Sequence, residues 1–290
     1  MIIRTYKELE FYIDMFKKGN TDLLMISSLG GLGKSRLADN IMKEVAHVKI
    51  LSHITPISLF IIGHENKDLP LIFDDVDILI NNKENVSLLK QFCETSRTKE
   101  IGWATTSKIL DNEDVPHKYE TKSRVLIITN DFNKLNKNVG ALVDRGWHIE
   151  FEPTTDEILN KISEIKNHIN NGLSDEQRDE IFRLIERFAK FGRVTLRTFV
   201  KGCQLYKHCQ GQDGWQEKLL SEMEIEPKLQ IIDRLLSVYE SDNERLNLWN
   251  SYGWSKRSFY DWKRKMMQKC IQNQDKYVLN SAAQLHVRQV

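Results

Sequence analysis

Asp22-Leu23-Leu24-Met25-Ile26-Ser27-Ser28-Leu29-Gly30-Gly31-Leu32-Gly33-Lys34-Ser35-Arg36-Leu37-Ala38 is the stretch from which the rest of this 290-residue chain can be ordered. Leu23 to Ile26 is a short apolar run of the kind found in strands buried on both faces. Gly30, Gly31 and Gly33 follow and let the backbone turn its amides inward. Lys34 and Ser35 then open a helical pattern in which Leu37, Ala38 and Ile41 share one buried face. Strand, glycine loop and helix N-terminus together make a phosphate cradle. The residues assigned to it are Gly30, Gly31, Leu32, Gly33, Lys34, Ser35 and Arg36. Loop amides face the anion, Lys34 reaches the terminal phosphates and the Ser35 hydroxyl ligates magnesium. The spacing matches GxxxxGK[ST] with one departure, Ser28 in place of the first glycine.

A loop of this kind hydrolyses nucleotide only with an acid on a neighbouring strand to hold magnesium and a base to orient water. Leu71-Ile72-Phe73 is an apolar run ending in Asp74 and Asp75, about 40 residues downstream. Asp74 is the magnesium-side acid, Asp75 the group that polarises the attacking water, and Asp77 a helix-start or surface acid. Val125 to Ile128 is a further buried-strand pattern, with Asn130 at its tip. Its amide either serves the water and terminal phosphate or caps a turn. Arg145 falls at a helix end before the strand-like Trp147 to Phe151. It is either a surface ion-pair partner or an arginine finger for a neighbouring subunit. Thr195 reads as a helix cap, which puts Arg197 in the first turn. A cation there opposes the helix dipole, so it is either tolerated or employed on a phosphate.

In order and spacing this set resembles the AAA+ ATPases over roughly residues 1 to 205. The resemblance implies a Walker A loop at Gly30, Gly33, Lys34 and Ser35, Walker B at Asp74 and Asp75, and sensor one at Asn130. It implies an arginine finger at Arg145 and sensor two at Arg197, with ATP and Mg2+ as cofactors. It further implies self-association into a ring or filament, most often a hexamer. The expected fold is α/β: a three-layer α/β/α P-loop core with a parallel sheet, a helical lid and a small all-α C-terminal domain. The boundaries are 1–153, 154–209 and 210–290. Ser28 and Asp75, where many members have glycine and glutamate, are departures bearing on hydrolysis rate.

Between the Asp-Asp and Asn strands, Trp103, Thr105 and Thr106 have strand propensity, and Lys108, His117 and Lys118 lie in the connection. This is similar to the basic hairpin of superfamily 3 helicases, or it is an extra strand with a solvated loop. Arg197 suits initiator, loader or transposition ATPases better. A rival resemblance, carried by Gly-Gly-Leu-Gly-Lys-Ser and Phe-Asp-Asp-Val, is to STAND signalling switches. Those typically place an arginine where Asn130 stands.

Composition narrows the setting. Hydrophobic residues make up 40% and charged residues 29%, which supports a buried core. Forty-two Lys and Arg against 41 Asp and Glu exclude a uniform polycation coating nucleic acid. From Ser241 to Val290, however, nine basic residues face four acidic ones, while the first 240 residues carry 33 against 37. No apolar run approaches the ~18 residues of a membrane span. The N-terminal residues are too acidic and interrupted for a signal peptide. Cys93, Cys203, Cys209 and Cys270 lack paired spacing and read as free thiols of a cytoplasmic protein. Cys203, His208 and Cys209 have no second cluster to complete a metal site.

The basic end reads as three helices. The first starts near Pro227 and turns Leu229, Ile232, Leu235 and Leu236 to one side. The second runs from a cap at Ser241 to Trp249, and the third from a cap at Ser255 to about Lys269. In the third, Phe259, Trp262 and Met266 are spaced for a core, while Lys256, Tyr260 and Lys263 share another face flanked by Arg257 and Arg264. A helix–turn–helix needs such a second helix, and these five residues are the candidate DNA contacts. The expected protein is an ATP hydrolase working on DNA, as helicase or helicase loader in replication of a phage, plasmid or mobile element. Its expected partners are DNA, further copies of itself, and a replicative helicase or other replication protein, with no membrane.

Overall fold

Leu23, Met25, Leu71, Phe73, Val125 and Ile127 are all buried at the centre of one apolar core. The alternate residues Leu24, Ile26, Ile72, Leu126 and Ile128 are equally buried. Only a sheet covered on both faces hides both sets. The computed structural model describes residues 1–51, 54–75, 83–104, 107–130, 140–169, 172–212 and 214–267. Asp77, Thr105, Thr106, Cys270 and the end of the third C-terminal helix at Lys269 lie outside the described residues. The chain divides into two compact units, Met1–Lys161 and Ile162–Val290, with the border inside helix Thr155–Ile165.

The first unit carries a six-stranded sheet in the order β1 (Ile2–Ile3), β8 (Trp147–Phe151), β2 (Leu23–Ser27), β7 (Val125–Thr129), β4 (Leu71–Asp74), β3 (Val48–Ile50). Every pairing in it is parallel. The expected parallel α/β core is therefore what forms. Strand β7 lies between β2 and β4, pairing Ser27 with Thr129 and Asp74 with Ile128. The glycine loop, the two aspartates and Asn130 thus leave the sheet side by side at its carboxyl edge, where open parallel sheets bind ligands.

Helices cover the faces. Tyr6–Lys17 (α1) starts from a capping box formed by Thr5 and Glu8 and buries Leu9, Ile13 and Phe16. Lys34–Met42 (α2) follows the glycine loop, buries Lys34, Ala38 and Met42, and leaves Leu37 and Ile41 only half-buried. The run Leu59 to Ile62 is helical, within Pro56–Glu65 (α3), capped by Thr55 with proline in the first turn.

The segment before Asn130 forms an antiparallel pair of its own, β5 (Lys99–Gly102) with β6 (Lys118–Thr121). Ile101 and Tyr119 belong to the main core, and the Tyr119 hydroxyl donates to the Phe60 carbonyl at 2.9 Å. Lys99 is 1% exposed and donates to Asp22 Oδ1 and the Ser123 carbonyl, both at 2.6 Å. On the outer side Lys118 pairs with Glu100 at 2.6 Å, and His117 lies 3.6 Å from Asp111.

The second unit is helical. Its elements include Asp175–Phe188, Leu196–His208, Trp215–Glu222, Pro227–Val238, Asp242–Ser251 and residues 256–267. Leu229, Ile232 and Leu235 are buried, with Leu236 half-buried, and Ser241 caps the next helix as expected. Trp249 is fully buried, and its indole N–H donates to the Ser255 carbonyl at 3.2 Å. Phe259 and Met266 are buried and Trp262 half-buried. No helix among the described residues is long and apolar enough to cross a membrane.

Candidate functional site

The loop after β2 turns through two left-handed residues, Gly31 at φ 87° and Gly33 at φ 83°. Side chains rarely adopt that conformation, which fixes glycine at both places. The Leu32 carbonyl between them accepts a 3.0 Å bond from the Tyr6 phenol of α1. Burial, then the nearby Glu157 carboxylate, pushes that phenol far above its ordinary pKa, so it stays protonated and donates. Nothing in the sequence of α1 points to this tether.

Lys34 is only 5% exposed. Its ammonium donates to the Ser28 carbonyl at 2.9 Å, Ser28 Oγ at 2.7 Å, the Leu29 carbonyl at 3.3 Å and Asn130 Oδ1 at 3.3 Å. Ser28, the departure from the glycine motif, therefore supplies two of these four acceptors. A buried ammonium needs such acceptors, and here neutral oxygens provide them. Arg36 is exposed on the first turn of α2.

Ser35 Oγ donates to Asp74 Oδ1 at 2.6 Å. Asp74 is 7% exposed, and its other oxygen lies 3.1 Å from Lys49 Nζ. Lys49 also pairs with Asp39 at 2.6 Å. Burial draws the Lys49 pKa down, but its bonds to Asp39 and Asp74 outweigh that and leave it raised. Sequence reasoning missed Lys49. It sits in the three-residue strand β3, too short to show a pattern, and only the parallel pairing of β3 with β4 carries it to Asp74.

Asp75 follows β4 with φ at 60°, an uncommon conformation for a residue other than glycine. Its carboxylate accepts a 2.5 Å bond from Asn130 Nδ2. The Asn130 amide thus spends its oxygen on Lys34 and its nitrogen on Asp75, joining the glycine loop to the second aspartate. Lys34, Ser35, Asp74, Asp75 and Asn130 are brought together in one network.

Arg145 lies between the helix Gly140–Val143 and β8. Its guanidinium donates to the Lys90 carbonyl at 2.7 Å and stands 3.9 Å from Glu94, at the end of helix Lys83–Phe92. Arg197 is exposed in the first turn of Leu196–His208, whose capping box joins Thr195 and Thr198. It belongs to the second unit. So do Lys256, Arg257, Tyr260 and Arg264, all exposed along residues 256–267. Lys263 differs from them. Its ammonium lies 2.6 and 2.8 Å from the two Asp242 oxygens, so its charge is spent within the fold. Cys93 and Cys203 are buried and Cys209 half-buried. Among the described residues no three His, Cys, Asp or Glu side chains gather in a metal-binding cluster.

The fold is that of the α/β P-loop NTPases. A mutant of RuvB from Thermotoga maritima superposes with a TM-score of 0.50 at 15% identity, over 80% of this chain and 76% of that one. In sequence, a protein of enterobacteria phage T4 is 24% identical over 221 residues, 69% of this chain and 67% of the other. It is described as an uncharacterized 36.7 kDa protein in the nrdC-mobD intergenic region. No protein-family model matches the chain.

Proposed function

We propose that the chain is an AAA+ type ATPase that hydrolyses ATP and couples hydrolysis to work on DNA in a phage or similar element. The observation carrying this is the bonded set of Lys34, Ser35, Asp74, Asp75 and Asn130 at the carboxyl edge of a parallel sheet. The donors present suit a magnesium–triphosphate: a buried ammonium, glycine-loop amides, and a hydroxyl already aligned with a carboxylate. Magnesium, when bound, neutralises charge on the transferred phosphoryl group. Lys34 and the loop amides hold the phosphates, and Ser35 with Asp74 hold the metal. Asp75 would accept a hydrogen bond from the attacking water and take its proton as the oxygen adds to phosphorus, the water being oriented together with the Asn130 amide. The likeness to a phage T4 protein supports the phage setting.

In this reading Arg197 serves as sensor two in a lid over residues 154–209, and residues 210–290 carry the DNA contact. Arg145 acts on the nucleotide of a neighbouring copy, for which it must leave the Lys90 carbonyl. Helicase loading or DNA unwinding is the finer role, with a replication protein as partner.

The test is phosphate release by the full chain, alone and with single- or double-stranded DNA. Hydrolysis stimulated by DNA, with specific activity falling on dilution, is the expected result. Hydrolysis indifferent to DNA would remove the DNA coupling. Slow turnover with tightly retained nucleotide would favour the signalling-switch reading.

A further inference from the structure

Two aromatic residues, Tyr252 and Trp254, lie at the turn between Asp242–Ser251 and residues 256–267. Tyr252 and Trp254 stack with ring centroids 5.2 Å apart and planes only 20° from parallel. Trp254 is backed from within the fold, since Trp249 packs against it at 4.6 Å and the Lys228 ammonium lies 5.5 Å from its ring. Tyr252, by contrast, is 54% exposed. Gly253 between them adopts φ 78°, and a Cβ placed there would meet no atom within 4 Å. Among the described residues the stack therefore has a packed inner ring, Trp254, and a more exposed outer ring, Tyr252.

Cations follow the same turn. Lys256 and Arg257 begin the following helix and are exposed, as is Arg264 two turns on. Among the described residues none of these three has an ion-pair partner, whereas Lys263 and Arg245 are both held by Asp242. Tyr260, 39% exposed, lies one turn beyond Lys256 on that helix.

We propose that this turn is a stacking platform for single-stranded DNA: an unpaired base extends the Trp254–Tyr252 stack while Lys256, Arg257 and Arg264 hold the backbone phosphates. The inference deepens the DNA contact of the proposed function and rests on it. Within a duplex both faces of each base are covered by its neighbours, so only the two end pairs offer a face to Tyr252, whereas every base of a single strand can. Aromatic rings interleaved with cations are the combination that single strands select.

The experiment uses the full chain and three fluorescent probes: a 20-nucleotide oligo-dT, the corresponding 20-base-pair duplex, and an abasic strand of equal length. Anisotropy should show oligo-dT bound more tightly than either other probe. Tyr252→Ala should weaken oligo-dT binding roughly tenfold and leave the duplex and abasic affinities unchanged. Tyr252→Phe keeps the ring and should bind as the unaltered protein does, which controls for loss of fold. Equal affinity for oligo-dT and abasic strand, or a Tyr252→Ala protein that binds oligo-dT normally, overturns the platform. Tight duplex binding under those conditions would leave the DNA reading standing. Binding of none of the probes overturns both.

Discussion

Two groups of charged residues, at the sheet's carboxyl edge and along residues 256–267, show opposite uses of lysine and arginine. At the sheet edge Lys34 and Asp74 are nearly sealed from solvent, and each oxygen and ammonium has its partner within the network. Along residues 256–267 the cations Lys256, Arg257 and Arg264 face water. A buried charge acts through geometry, and removing one member leaves another uncompensated. An exposed cation acts through long-range attraction, shared among neighbours and screened by salt. Substitutions at the sheet edge should therefore be all-or-none, and those on the helix gradual.

The sharpest break of that contrast is Lys34→Ala. Phosphate release should fall by at least about 100-fold, the scale on which preorganised charges at a reacting phosphate act. A rate near that of the unaltered protein would remove the site assignment. A smaller, graded effect is expected from Lys256→Ala, Arg257→Ala and Arg264→Ala combined. The slope of log affinity for DNA against log salt should flatten by about 2 to 3. An unchanged slope would move the phosphate contacts elsewhere.

The smallest effect concerns Asp233, a half-buried acid within the second unit. Burial pushes its pKa up to about 6 against the opposing charge of its ion-pair partner Arg187. The folded chain therefore takes up this proton at higher pH than the unfolded chain. Its contribution to stability is greatest below the ordinary carboxyl pKa and is lost as pH rises towards 6. Asp233→Asn should remove that part of the slope in melting temperature between about pH 4 and pH 6. An identical slope would show that Asp233 titrates normally.

The motif strands, the glycine loop and the helix caps at Thr195 and Ser241 were all legible in the sequence, because each depends on neighbours within a few residues. Sheet-edge grouping followed from apolar runs ending in polar residues. The partners of Lys49, Tyr6 and Lys263 were not legible. Lys263 finds Asp242 across 21 residues and Tyr6 finds Leu32 across 26, through packing that no local pattern encodes. Arg145 shows the same limit from the other side. Its place before β8 was readable, but its bond to the Lys90 carbonyl depends on how a separate helix packs.

Asp75 carries one more consequence. A left-handed backbone costs an aspartate on the order of 1 kcal/mol that glycine escapes. Chains screened for heat resistance alone should therefore drift toward glycine at this position and lose turnover as they gain melting temperature. Asp68, Asp114, Gln210 and Glu224 share the left-handed backbone, so a glycine drift confined to Asp75 with loss of turnover would single out its carboxylate, whereas an equal drift at all five would reflect backbone preference alone.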